Sequence, residues 1–105
     1  MIQPTVGRIV LYHSSEFDHQ GPGGMSGRVG QEFPAIVSYV HGPRMVNLAV
    51  FDSNGVQCAR ASINLHQPED TPVVNGLRWC EWMPYQQKKA TGSESGEKAA
   101  GSQAI

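Results

Sequence analysis

The chain has 105 residues, of which 39% are hydrophobic and 16% charged, and a formal net charge of −1. This composition excludes disorder throughout and supplies one hydrophobic core, with too little chain for a second. The charge argues against an obligate binder of duplex nucleic acid, which needs a clustered excess of Lys and Arg to neutralise phosphates.

The segment Met1-Ile2-Gln3-Pro4-Thr5 lacks the pattern of a secretory signal, and apolar runs such as Ile9-Val10-Leu11-Tyr12 are too short to span a bilayer. No membrane partner is expected. A cytosolic location follows, with Cys58 and Cys80 reduced and acting as small hydrophobes.

Short runs rich in β-branched and aromatic residues, separated by Gly, Pro, Asn and Asp, predict strands along most of the chain. The first strand is expected at residues 5–12, with Pro4 at its entry. Residues 14–32, with Gly21-Pro22-Gly23-Gly24 and then Gly27 and Gly30, carry little apolar surface and predict a long loop. Such a loop inside a small domain is either functional or mobile. The next two strands, 34–40 and 44–51, join at His41-Gly42-Pro43 as a hairpin, and Asp52-Ser53-Asn54-Gly55 closes a second one. In the returning strand, 56–65, alternation puts Ala59, Ala61, Ile63 and Leu65 on one face and Arg60, Ser62 and Asn64 on the other. A last strand is expected at 77–83. The stretch from Lys88 onward cannot offset its ordering entropy and predicts a flexible polar tail.

Five antiparallel strands predict a mainly β domain over residues 1–87, either a small barrel or a strongly bent sheet, SH3-like or OB-like. A barrel this small buries little surface, so a homo-oligomer is a reasonable expectation.

Two sets of residues stand out for binding. Residues 1–87 carry five Arg and no Lys, and the guanidinium fork suits bidentate recognition of carboxylate or phosphate. His41, Arg44, Arg60, Ser62 and Asn64 could gather on the polar face of the two hairpins, against the alternative of an ordinary solvated face. Trp79-Cys80-Glu81-Trp82-Met83-Pro84-Tyr85-Gln86 concentrates large aromatics, with Trp79 and Trp82 an odd number of strand steps apart and so on opposite faces. One is then core, and the other, with Tyr85, offers a stacking wall for a nucleotide-like small molecule.

Other constellations are weaker. His13, Glu16, Asp18 and His19 form a possible metal set at the mouth of the Gly-rich loop, with a solvated polar loop as the alternative. The loop lacks the Gly-Lys-Ser/Thr ending of a phosphate cradle, which leaves Arg28 as an anion contact. Cys58 could act as a nucleophile with a histidine base, but no local signature places one beside it, and Glu69-Asp70 suits a surface turn. The sequence calls for no cofactor or metal.

Pro4-Thr5-Val6-Gly7-Arg8, Met45-Val46-Asn47-Leu48-Ala49-Val50-Phe51-Asp52 with Asn54-Gly55, Ala59-Arg60-Ala61-Ser62, and Glu81-Trp82-Met83-Pro84-Tyr85-Gln86 resemble a family of small uncharacterised proteins of tailed phages and prophages. The resemblance covers nearly all of residues 1–87, with Ala61 where relatives often carry Thr and a divergent loop at 14–32. It implies a host-cytoplasm setting. The expected function is a non-enzymatic binding protein that sequesters a nucleotide-like signal or a host protein to counter host defence. A virion or assembly accessory and a small hydrolase are the alternatives.

Overall fold

Alternation of apolar and polar residues forces each strand to bury one side, and in a chain this short all the buried sides must meet in one interior. The computed structural model describes residues 1–71 and 77–86. Its strands are β1 (Ile9–His13), β2 (Glu32–Gly42), β3 (Met45–Phe51), β4 (Gln57–His66) and β5 (Trp79–Trp82), with a 3-10 turn at Glu16–His19. They close into a barrel in the order β1-β2-β3-β4-β5. This sequential order fits the SH3-like alternative, whereas an OB-fold has Greek-key order.

The interior is filled by Val10 and Tyr12 of β1, Phe33, Ala35 and Val37 of β2, and Val46, Leu48 and Val50 of β3. Ile63 and Leu65 of β4, Cys80 and Trp82 of β5, and Met25 from the loop complete it. Trp82 is fully buried, with the Arg8 guanidinium 5.0 Å from its ring centroid. Burying such a side chain stabilises the fold by about 2–3 kcal/mol.

Four of the five strand contacts are antiparallel, as expected, but the seam is not. β4 runs parallel to β5 through Leu65↔Cys80 and His66↔Glu81, while β1 lies antiparallel to β5. A short barrel with an odd number of strands, each antiparallel to the next, must have one parallel pair where it closes.

The β4 face assignment needs correction. Ile63 and Leu65 are buried as expected, but Ala59 and Ala61 are exposed while Cys58 and Arg60 turn inward. A bulge is the cause. Val46 pairs with Ile63 and Leu48 with Arg60, so Ala61 and Ser62 together oppose Asn47. Ser62 takes φ of 54°, and its N–H donates to Asn47 Oδ1 at 2.8 Å. The extra residue inverts the facing of everything before it. Two irregularities in β2, at Val37/Tyr39 and Val40/Gly42, bend the partner strand in the same region.

Residues 14–31 are not the loose loop their composition suggests. Met25 enters the core, Asp18 is buried, and Ser26 N–H donates to Asp52 Oδ2 at 3.0 Å. Gly27 (φ 127°) lies so close to the Phe33 ring and Ser53 that a Cβ there would come within 2.7 Å of both. Asp52 accepts three further backbone N–H groups from its own turn, where Gly55 alone takes a positive φ. The expected flexible tail, 88–105, lies outside the described residues. Among the described residues, no helix is long and apolar enough to cross a membrane.

Candidate functional site

The residues singled out in the sequence do not form one site. Arg44 sits in the two-residue turn between β2 and β3, where Nε and Nη2 grip Asp70 at 2.7–3.1 Å and Nη2 reaches Glu69 at 3.5 Å. The Arg44 fork and the Gln67 N–H together hold the Asp70 carboxyl down at about 2. Arg60, turned inward by the bulge, donates from Nε to Asp18 Oδ1 at 2.6 Å. On the β4 ladder it stands four residues from Asn64, itself opposite Met45, so the two guanidinium groups are rooted about 13 Å apart. His41 and Ser62 both bond to Asn47 Oδ1, and Asn64 is exposed. Trp82 is core, Tyr85 is exposed and Trp79 is half-buried on the outer wall.

The four-residue metal set scatters for the same kind of reason. The 3-10 turn directs Asp18 into the barrel mouth, where its Oδ2 accepts from the Tyr12 hydroxyl at 2.7 Å and from Ser15 N–H at 2.8 Å. Arg78 stands 3.8 Å from Oδ1. Burial alone would raise this carboxyl, but the Ser15, Tyr12 and Arg60 donors outweigh it and hold it below the ordinary range. The Tyr12 phenol is pushed above its usual value by burial and by the Asp18 carboxylate. Glu16 stays exposed. His19 bonds through Nδ1 to the Met25 carbonyl at 2.8 Å and through Nε2 to Ser14 Oγ at 2.7 Å. A carbonyl only accepts, so Nδ1 carries a hydrogen, while Ser14 Oγ also donates to the Arg28 carbonyl at 3.3 Å and accepts from Gly30 N–H at 3.2 Å. Ser14 is only 4% exposed, so this pair acts as a clamp on the loop.

Cys58 packs against the core, with its thiol directed at the Val56 carbonyl. Each of the four histidines has a partner of its own, and none of these is Cys58: Glu81 for His13, Ser14 and Met25 for His19, Asn47 for His41, and the Thr71 carbonyl for His66. Burial, with the Glu81 charge, pushes the Cys80 thiol up to about 12, which leaves it an inert core residue.

The outer wall carries an arrangement of another kind. Ile9, Ile36, Ala49 and Ala59 stand side by side on β1, β2, β3 and β4, forming one row in register around the outside. Two residues along, Leu11 pairs with Pro34 on one side and Glu81 on the other, and Phe51 pairs with Gln57. A third row begins with Trp79 and continues through His13 to Glu32. Ile9 is 47% and Ile36 39% exposed, and Pro34 and Ala59 are open to solvent. The result is an apolar band that curves around four of the barrel's five strands, most exposed at Ile9, Pro34 and Ile36 of the adjoining β1 and β2, with a His–Glu–Glu–Trp corner at its β5 end.

At that corner Trp79 lies flat on the His13 imidazole, 4.0 Å between centroids and 5° between planes, with His66 edge-on at 5.4 Å. His13 Nε2 bonds to Glu81 Oε2 at 2.6 Å and stands 3.9 Å from Glu32 Oε2. In sequence, the only hint of this corner is the step of two between Trp79 and Glu81, which puts both on the face opposite Cys80 and Trp82. Comparison with family models, with curated proteins and with solved structures finds no match to the chain.

Proposed function

We propose that the protein is a non-enzymatic binding module that docks one apolar segment of a partner protein on the outer face of β1 and β2. The observation that carries this reading is the pair of apolar rows in cross-strand register on the outside of a barrel that is already closed. Outward positions of a solvated β wall are ordinarily polar, and a contiguous apolar patch rimmed by polar groups marks an interaction surface.

Size and charge choose the occupant. Because the band curves with the barrel, one straight segment covers the part on β1 and β2, where Ile9, Leu11, Pro34 and Ile36 form two pairs about 7 Å apart, far smaller than the roughly 800 Å² per partner of a standard interface between globular proteins. Glu81 borders the second row and Glu32 lies beyond it, which favours a segment with Lys or Arg at that end. In the phage setting that the sequence resemblance implies, the segment belongs to a host protein. Nucleotide capture is less well supported, because Arg44 and Arg60 are both committed to carboxylates within the fold.

Photo-crosslinking tests the proposal, with the reactive group placed at Ile36 and, as a control, at exposed Gln20 in cells that express the protein. A partner crosslinked from position 36 alone is then made in pure form, and it must bind the wild type directly. Equal crosslinking from both positions overturns the reading, as does a product made only of two copies of this chain.

A further inference from the structure

We propose that His13, Glu32 and Glu81 form a binding site for one divalent first-row transition-metal ion at the corner of the outer wall. Their ligand atoms all lie within 4.8 Å of one another, and no other group of three His, Cys, Asp or Glu does so among the described residues. Each ligand comes from a different strand. His13 on β1 is in register with Glu32 on β2, and Glu81 on β5 pairs with Leu11, one outward position along β1 from His13. The three are thus held by the ladder on both sides of β1 rather than by a mobile loop.

The donor set and its spacing suit such an ion. Imidazole nitrogen and carboxylate oxygen bind zinc at about 2.0–2.2 Å, which places tetrahedral ligand atoms about 3.3–3.6 Å apart. The observed separations from Nε2, 2.6 Å to Glu81 and 3.9 Å to Glu32, straddle that value, and all three ligand atoms lie within 4.8 Å of one another, so the site completes as Glu81 backs away from the ring and Glu32 moves in. A carboxylate only accepts, so in the metal-free protein Nε2 carries the hydrogen bonded to Glu81; on binding, the neutral ring holds its hydrogen on Nδ1 instead and the Nε2 lone pair goes to the ion. Trp79 stacked on the imidazole fixes the ring plane, as a supporting contact does in metal centres. The His13 and Glu81 side chains are only 14% and 23% exposed, whereas Glu32 at 57% is free to close over the ion. One nitrogen and two carboxylates favour zinc, manganese or cobalt over calcium, which takes oxygen ligands.

The test uses the full chain without a histidine tag, treated with chelator and then titrated with zinc by calorimetry. Cobalt titration followed by tryptophan fluorescence supplies a second readout, since Trp79 rests on the ligating ring and Trp82 lies in the core. One zinc per chain, tenfold or greater weakening in Glu32→Gln and Glu81→Gln, and loss of binding in His13→Gln are expected, with His66→Gln unchanged. Trp79→Phe retains binding and loses most of the cobalt quenching. Glu32→Gln alters an exposed side chain, so its result stands even if His13→Gln fails to fold. Absence of zinc binding, or binding insensitive to Glu32→Gln and Glu81→Gln, overturns the proposal and leaves a hydrogen-bonded His–carboxylate pair.

Discussion

Gln67 shows how much of this small fold is tied by single polar side chains. It is fully buried, and its amide accepts from Ile2 N–H (2.9 Å) and Trp82 Nε1 (3.1 Å) while donating to the Ile2 and Pro43 carbonyls (2.9 and 2.8 Å). Both donors and the carbonyl of the amide are used, so burial carries no unsatisfied group. Gln67→Leu keeps the volume but leaves the Ile2 and Pro43 groups without this partner, at a cost of about 2–4 kcal/mol in chemical denaturation. Asp18 plays the same part at the other mouth of the barrel. Asp18→Ala strands the Arg60 guanidinium beside the core and lowers stability by about 3 kcal/mol, as loss of one member of a buried pair does. Folding depresses the carboxyl pKa of both Asp18 and Asp70, so their stabilisation is complete above the unfolded value of about 4 and is lost as pH falls through the folded values. For Asp70 that loss runs from the unfolded value of about 4 down to the folded value of about 2. Melting temperature followed from neutral to acid pH therefore stays level to about pH 4 and then drops, and Arg44→Gln softens the drop.

At the scale of elements, β4 and the strap over 14–31 divide what local pattern reveals from what it hides. The hairpins were legible because β-rich runs flank Gly, Pro and Asn-Gly, and the observed β2, β3 and β4 lie within a few residues of their expected bounds. The opposition of Trp79 and Trp82 followed from strand geometry alone. The bulge at Ala61-Ser62 was not legible, since Ala59, Ala61, Ile63 and Leu65 alternate without a break and only the pairing with Asn47 inserts the extra residue. Hence Arg60 was expected outside and lies inside. Ser62→Gly relieves the positive φ and is neutral to stabilising by about 0.5–1 kcal/mol, while Ser62→Val destabilises by more than about 1 kcal/mol. The order of the strap is hidden in the sequence because glycine content alone does not distinguish freedom from close approach. Gly27 instead permits close approach to Phe33 and Ser53, and Gly27→Ala costs about 1–3 kcal/mol in the same denaturation assay.

At the scale of the molecule, closure of the barrel separates two jobs. The inner faces make the core, and the outer wall carries Ile9, Leu11, Pro34, Ile36, Ala49, Phe51 and Ala59, of which Ile9, Pro34, Ile36 and Ala59 are exposed among the described residues. This wall was invisible in sequence, because its members come from four separate strands and each one alone reads as an ordinary strand residue. The most direct measurement of its role is the affinity of the purified crosslinked partner for the wild type and for Ile9→Glu/Ile36→Glu, by calorimetry. Both positions are already exposed, so the variant should melt close to the wild type and retain its barrel. At least tenfold weaker binding is expected, since two charges would be buried against an apolar segment. An affinity unchanged by both substitutions would contradict a docking role for this wall.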